Sequence, residues 1–447
     1  MLDPSVFKAY DVRGIHPTQI DEDGAYRIGR AFVEHFGLAR IAVGRDMRVS
    51  APTMTAAVID GAADGGADVL DLGMIGTEML YYAVGELALE GGIVVTASHN
   101  PKQYSGMKIV RAGALPVGGD SGLDDVRRAA DAGFGEVARR GEVTPTDIWD
   151  GFVGKVLSFV DPESLGPLRI VVDAANGMAG AMLPPLLERL PQLDVVRCFF
   201  EPDGAFPNHE PNPLLPENRE FIVERTRAAD AHLGVAFDGD ADRCFFVDDT
   251  GEFVPGDFVT ALLARAMLQK EQGATVLYDV RASWAVPRTI EESGGVALVN
   301  RVGHAFIKER MREVDALFAG EVPAHYYFRD FTRADTGLVP FLVMLELLST
   351  GRKLSELLAP FRERYFLSGE INTPVADVDA KLREIEERYA AVGGRISHLD
   401  GVSVDFDDWH FNVRPSNTEP LLRLNLEALD EHLMERRRDE VLDLIRS

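Results

Sequence analysis

At 447 residues with a formal net charge of −26, the chain exceeds what one hydrophobic core supports and is too acidic to be drawn to nucleic acid or an anionic membrane. No apolar stretch of membrane-spanning length occurs and Met1-Leu2-Asp3-Pro4 lacks the regions of a signal peptide, so a soluble, cytoplasmic, multidomain protein is expected. Cys198 and Cys244 are too few for a disulfide framework and lack metal-ligand spacing.

In chain order, Ile41 to Asp46 reads as a strand, with helical stretches after it. Ile93-Val94-Val95 reads as a second, buried strand that Pro101 prevents from continuing. It delivers Ser98, His99 and Asn100 at its polar end, the place where ligands bind in open α/β sheets, and a serine there suits a phosphoryl carrier. Lysine is scarce, eight residues in all, which draws attention to Lys102 and Lys108 just beyond.

The pattern recurs. Ile170 to Asn176 opens a second copy, in which a strand over 233–237 releases Asp238-Gly239-Asp240-Ala241-Asp242-Arg243. Three carboxylates at two-residue spacing repel one another unless a cation lies between them, and a hard divalent ion such as magnesium fits an all-oxygen set. An EF-hand would need Gly at its sixth position and Glu at its twelfth, where this chain has Arg243 and Asp249. Val276 to Arg281 opens a third copy, and Ala316-Leu317-Phe318-Ala319 is the strand predicted to release Gly320 to His325. This weak threefold repeat predicts three similar α/β domains that aim three different loops at one cleft.

Phe258 to Gln269 carries apolar residues at helical spacing, which predicts a helix with one side on a sheet, started by Pro255-Gly256-Asp257. From about residue 368 the pattern changes. Strands over 402–406, 409–413 and 421–426 and helices near 378–391 and 430–445 predict a smaller α+β domain. Its loop from Arg414 to Pro420 sets a cation, two hydroxyls and an amide between prolines, groups that donate to a phosphate, and Arg423 adds a second cation. The domain division expected is 1–145, 146–250, 251–367 and 368–447.

On four ordered motifs, Thr96–Pro101, Asp238–Arg243, Gly320–His325 and Arg414–Pro420, the chain resembles the α-D-phosphohexomutases, most closely their bacterial phosphomannomutase/phosphoglucomutase branch. The resemblance implies a heart-shaped molecule of four domains around a central cleft. It implies that phosphorylated Ser98 and a hexose 1,6-bisphosphate carry a phosphoryl group between the 1- and 6-positions of mannose or glucose phosphates. Mg2+ would be held by Asp238, Asp240, Asp242 and the phosphate on Ser98, with Arg243 as a further cation. Lys108 matches the general acid/base, its pKa lowered by burial or nearby cations, and His99 and His325 are secondary candidates.

By the same resemblance, Arg414, Ser416, Asn417 and Thr418, with Arg423, would grip the distal phosphate. Glu321 and His325 would hold the 3- and 4-hydroxyls of the sugar. Tyr10, Arg13 and Asn100 fall near the reacting centre, and Arg281, Gly303 and His304 resemble specificity elements. Glucose 1,6-bisphosphate is the implied activator, hexose phosphates are the implied partners, and the chain would be a monomer or small homo-oligomer.

Two departures stand out. Pro323 and Ala324 replace a Ser and a Gly of the usual sugar loop, removing a hydroxyl and an N–H and restricting the backbone. Ala241 stands where Gly is usual in the metal loop, with no ligand lost. Phosphoglucosamine mutase stays open as an alternative, although Asn417 favours mannose and glucose phosphates, as does a non-enzymatic sugar-phosphate-binding protein. A phosphatase that uses Asp238 as nucleophile and Asp240 as acid would leave three motifs unused. Phosphate incorporation at Ser98 separates enzyme from binder.

Overall fold

The computed structural model describes residues 1–416 and 421–447. The chain forms two compact units, one of Met1–Val254 with Ala324–Leu354, the other of Pro255–Pro323 with Ser355–Ser447.

The first unit holds two sheets and the antiparallel pair His325–Phe328 and Ala334–Asp335. The larger runs in the order Val12–Ile15, Tyr104–Arg111, Gly91–Val95, Arg40–Arg45, Asp68–Met74, Val143–Pro145, and Leu115–Pro116 pairs with Tyr104–Arg111. The smaller runs Cys244–Val247, Leu233–Phe237, Arg169–Asp173, Asp194–Cys198. Gly91–Val95 and Leu233–Phe237 are buried at every position, as strands covered on both faces must be, which is why each reads as an unbroken apolar run. Around the larger sheet, Phe32 and Val33 from the helix Glu22–Phe36 and Val58 from the helix Ala51–Asp64 pack with Ile41, Val43 and Ile93. Each such fully buried side chain contributes roughly 1.5–3 kcal/mol.

In the second unit, Thr275–Asp279 lies parallel between Val296–Asn300 and Phe318–Glu321. The predicted threefold repeat is therefore topological: Arg40–Arg45, Arg169–Asp173 and Thr275–Asp279 are central strands, each flanked in parallel by the strand that follows and by the strand that releases a chemical loop. Each central strand also ends in the same device. The carboxylates of Asp46, Asp173 and Asp279 accept the backbone N–H two residues on, from Arg48 (2.9 Å), Ala175 (2.8 Å) and Arg281 (2.8 Å).

The rest of the second unit carries an antiparallel sheet in the order Phe366–Leu367, Leu421–Ala428, Trp409–Pro415, Val402–Asp405, Arg395–Ser397, with Ile371–Pro374 also paired to Leu421–Ala428. Val378–Ala390 and Glu431–Arg446 are its helices, and each starts on an aspartate, Asp377 or Asp430, that accepts a backbone N–H of the first turn. Phe411, Val413, Leu422 and Leu424 fill the space beneath them.

Two expectations change, and three short strands appear that no expectation covered. The strand predicted at 316–319 lies at Phe318–Glu321, so Gly320 and Glu321 belong to it rather than to a loop. The helix Gly256–Lys270 is buried on nearly every side, from Asp257 to Leu268, where one buried side was expected, because only Asp257, Thr260 and Arg265 interrupt its apolar residues there. Arg395–Ser397, Phe366–Leu367 and Ile371–Pro374 are strands too short to show a period in sequence. Among the described residues no helix is long and apolar enough to cross a membrane.

Candidate active site

Beyond Val95 the chain cannot continue as strand, and it returns through Tyr104–Arg111 antiparallel to Gly91–Val95. That return places Lys108 opposite Val94, so serine loop and lysine sit on adjacent strands of one hairpin. Ser98 is buried, with φ +47, a left-handed conformation that a serine holds only when its surroundings fix it. The fixing group is Arg48. Its guanidinium, itself buried, donates to the carbonyls of Ser98 (2.7 Å), Asn100 (2.6 Å), Pro101 (3.0 Å) and Tyr104 (3.1 Å) and pairs with Asp46 at 3.3 Å. Ser98 N donates to Thr96 Oγ1 at 2.9 Å.

The acidic loop joins Leu233–Phe237 to Cys244–Val247, which pair antiparallel, and it meets the serine loop across Gly239. A Cβ at Gly239 would lie 2.4 Å from the carbonyl oxygen of Ser98, so only glycine permits the approach. Ser98 Oγ donates to Asp238 Oδ2 at 2.8 Å, and Arg243 Nη2 donates to Ser98 Oγ at 2.9 Å. Arg243 also donates to Asp238 through Nε and to His99 Nδ1. Lys108 Nζ donates to Asp240 Oδ2 at 2.7 Å and to Asp242 Oδ2, and Thr77 Oγ1 donates to Asp240 at 2.6 Å.

Asp238, Asp240 and Asp242 are buried, and ligand oxygens of the three lie within 4.8 Å of one another. Among the described residues nothing donates a hydrogen bond to Asp240 Oδ1 or Asp242 Oδ1. Buried carboxylate oxygens without donors are what a hard cation would satisfy, so the residues fit a divalent metal. Burial, and then the Asp240 charge, push the Asp242 carboxyl up. Burial would also raise Asp240, but the Lys108 ammonium holds it well below the usual range.

For Lys108 the direction is opposite to the lowering read from the sequence. Burial does lower its pKa, yet Asp240 and Asp242 outweigh burial and hold the amine protonated. His99 is pushed well below its ordinary value by burial and then by Arg243 and Arg13, so its ring is neutral and accepts from Arg243. Arg13 donates through Nε to Asp11 at 2.8 Å and reaches Asn100 Oδ1, and Tyr10 precedes the strand Val12–Ile15 by two positions. His325 opens the strand His325–Phe328, with Nε2 4.0 Å from Asp242 Oδ1.

The remaining candidates lie in the second unit. Arg281 is buried and donates to both oxygens of Asp279, at 3.0 and 2.8 Å, with Glu321 3.8 Å away. Glu321 Oε1 accepts Gly303 N at 3.0 Å, and Gly303 precedes the helix that His304 begins. Arg414 and Arg423 face each other across paired strands, and both donate to Glu370, at 3.1 Å each. Arg423 Nη2 also lies 3.3 Å from Ser416 Oγ. Asn417 and Thr418 lie outside the described residues. The chain leaves the second unit between Pro323 and Ala324, so the expected sugar loop is also the crossing point: Glu321 belongs to one unit and His325 to the other.

Sequence reasoning missed Arg48, Asp46, Thr77 and Glu370. For Arg48 a signal existed: Asp46-Met47-Arg48 and Asp279-Val280-Arg281 are the same Asp-x-Arg at the same place in the repeat, and only the second was singled out. Thr77 and Glu370 carry no local signal.

Residues 4–131, 150–251 and 255–365 match the phosphoglucomutase/phosphomannomutase α/β/α domains I, II and III, and residues 370–444 match the C-terminal domain of the same family. A phosphomannomutase of Salmonella montevideo is 43% identical over 450 residues, covering 99% of each chain. A Xanthomonas campestris protein named phosphohexose mutases is 43% identical over 98% of this chain and 99% of its own. A crystal structure of a phosphoglucomutase/phosphomannomutase family protein from Burkholderia thailandensis superposes with a TM-score of 0.90 at 32% identity, covering 100% of this chain and 98% of that one. With four domain matches in order and relatives of equal length, the chain belongs to the phosphoglucomutase/phosphomannomutase family of hexose-phosphate mutases.

Proposed function

We propose that the chain interconverts the 1- and 6-phosphates of mannose or glucose through phosphorylated Ser98 and a hexose 1,6-bisphosphate. The observation that carries this reading is the double contact at Ser98 Oγ, where Asp238 accepts its proton and Arg243 donates to the same oxygen. Arg243 meets the negative charge that returns to Oγ as the phosphoryl group leaves, and Asp238 takes the serine proton when a phosphoryl group comes back. A divalent cation, Mg2+ by the all-oxygen donor set, would when bound to Asp238, Asp240, Asp242 and the phosphate on Ser98 offset charge on the transferring group.

Lys108 is the general acid/base. Shared between Asp240 and Asp242 its ammonium stands ready to donate, and charge brought to those carboxylates loosens the proton for the opposite role. His99, neutral and accepting from Arg243, orients the guanidinium. Arg414, Ser416 and Arg423, with Asn417 and Thr418, grip the distal phosphate. Glu321 and His325 take sugar hydroxyls, while Tyr10, Arg13, Asn100, Arg281, Gly303 and His304 complete substrate contacts.

A chain that loses its serine phosphate can regain it only from a bisphosphate, which supports glucose 1,6-bisphosphate as activator. Two free, buried thiols accord with a reducing compartment and support a cytoplasmic location. The four-domain division at about 145, 250 and 367 is supported by family matches that end at 131, 251 and 365 and resume at 370.

The test is conversion of mannose 1-phosphate and glucose 1-phosphate to their 6-phosphates, with Mg2+ and a trace of glucose 1,6-bisphosphate. Ser98→Ala is expected to lose about 10³-fold or more in rate. Full activity in that variant would sink the phosphoserine route, and the ratio of the two wild-type rates names the preferred sugar.

A further inference from the structure

Arg414 and Arg423 occupy directly opposed positions on paired strands, Trp409–Pro415 and Leu421–Ala428. Like charges so placed repel unless an anion lies between them. Glu370, immediately before the strand Ile371–Pro374, is that anion. Its Oε2 accepts from Arg414 at 3.1 Å and lies 3.5 Å from Arg281 Nη1, and its Oε1 accepts from Arg423 at 3.1 Å. These three guanidiniums hold its carboxyl below the ordinary range, although burial acts to raise it.

Among the described residues the ion pairs of this cluster set Arg281, Arg414 and Arg423 against Asp279, Glu321 and Glu370, charge for charge. A phosphate dianion added to that set is left uncompensated unless a carboxylate departs. Asp279 and Glu321 are fixed, buried and engaged by the backbone N–H groups of Arg281, Val322 and Gly303. Glu370 is 27% exposed, and its partners among the described residues are the three guanidiniums alone. Moreover, the buried Nε groups of Arg414 and Arg423 donate to nothing among the described residues, so Glu370 leaves two N–H groups unmet that an anion with more oxygens would satisfy.

We propose that Glu370 is a resident counter-anion of the Arg281–Arg414–Arg423 cluster that a substrate phosphate displaces, and whose return to the arginines releases that phosphate between the two transfer steps. This rests on the reading of Arg414 and Arg423 as the distal phosphate grip. A bisphosphate that must present first one end and then the other has to leave its grip once per turnover. A carboxylate at hand to refill the arginines offsets the charge exposed when it does. Glu370 is thus a positioning residue, acting through the arginines.

The experiment uses the full chain with saturating Mg2+, glucose 1-phosphate as substrate and inorganic phosphate as competing probe. Removing the competitor with Glu370→Gln is expected to lower KM for glucose 1-phosphate and Ki for inorganic phosphate about 5-fold, and to lower kcat by a similar factor because release is hindered. Glu370→Asp, which keeps the charge, should stay within about two-fold of wild type. A carboxylate that merely braced the arginines would give the opposite sign, a higher KM and Ki in Glu370→Gln. Arg414→Met separates the layers of the argument. If Glu370→Gln leaves KM unchanged or raised while Arg414→Met raises it strongly, the exchange is overturned and the grip stands; if Arg414→Met keeps wild-type KM, both are overturned.

Discussion

The two charged clusters of this chain are built in opposite senses. Around Ser98, carboxylates outnumber what Lys108 and Arg243 can satisfy, and buried oxygens of Asp240 and Asp242 are left without donors. Around Arg414 the ion pairs among the described residues match charge for charge, and guanidinium N–H groups are left over instead. The first cluster is short of a cation; the second binds an anion only by giving one up. The difference extends to rigidity. Ser98 is held by backbone-directed bonds from a buried arginine, whereas the Arg414 pair is bridged by one partly exposed glutamate. A site that transfers a group needs fixed reacting atoms, and a site that must release and recapture a phosphate needs an exchangeable partner.

The largest effect that would break this contrast is on Arg48. Its fork reaches four carbonyls of the serine loop, and lysine cannot span them. Arg48→Lys is expected to lower kcat about 10²-fold with KM changed little, since Arg414 and Arg423, the proposed distal grip, are untouched. Steady-state rates together with a thermal melt check this. A variant that folds and keeps wild-type kcat would show that the left-handed Ser98 is held by something else, and the two clusters would no longer differ in rigidity.

A smaller effect sharpens the electrostatic half. Adding Mg2+ at about 100 times its Kd should stabilise the wild type by about 2.7 kcal/mol, seen as a rise in Tm that a chelator reverses. Asp242 is the carboxylate pushed up by burial and by Asp240, so a neutral amide there relieves repulsion while the ligand set is spoiled. Metal-free Asp242→Asn should therefore melt at or above metal-free wild type and show no Mg2+ response. Glu370→Gln, in the balanced cluster, should keep the full response. A metal shift that survives Asp242→Asn would place the cation elsewhere.

Much of this was legible in sequence because the reactive groups sit at the ends of buried strands. An unbroken apolar run such as Leu233–Phe237 announces both the strand and the place where its polar successors emerge. The three central strands were visible for the same reason. What stayed hidden depends on partners remote in the chain. Arg48 acts on residues 98–104, about fifty positions on, and reads locally as one arginine among many. Glu370 reaches Arg414 and Arg423 only through strand pairing that periodicity does not specify. The sign of the Lys108 shift was misjudged because it depends on two carboxylates more than 130 positions away that outweigh burial.

The smallest prediction concerns Ala241 and Ala324, the two alanines that the family resemblance marks as departures from glycine. Ala241 has φ +63 and Ala324 φ +65, so both hold a left-handed conformation that a Cβ disfavours. Ala241 lies in the rigid, metal-seeking loop; Ala324 is the first residue after the chain crosses between the two units. Replacing either by glycine removes the steric cost but returns entropy to the unfolded chain, a partial cancellation that leaves a gain of about 0.5–1 kcal/mol. Ala241→Gly should therefore raise Tm by about 1–2 °C with kcat unchanged, because Asp240 and Asp242 already hold their positions. Ala324→Gly should give a similar Tm but also change KM, since it frees the backbone that joins Glu321 to His325. Equal effects of the two on KM would mean that the crossing segment has no part in substrate binding, leaving the absent N–H of Pro323 as the departure that matters.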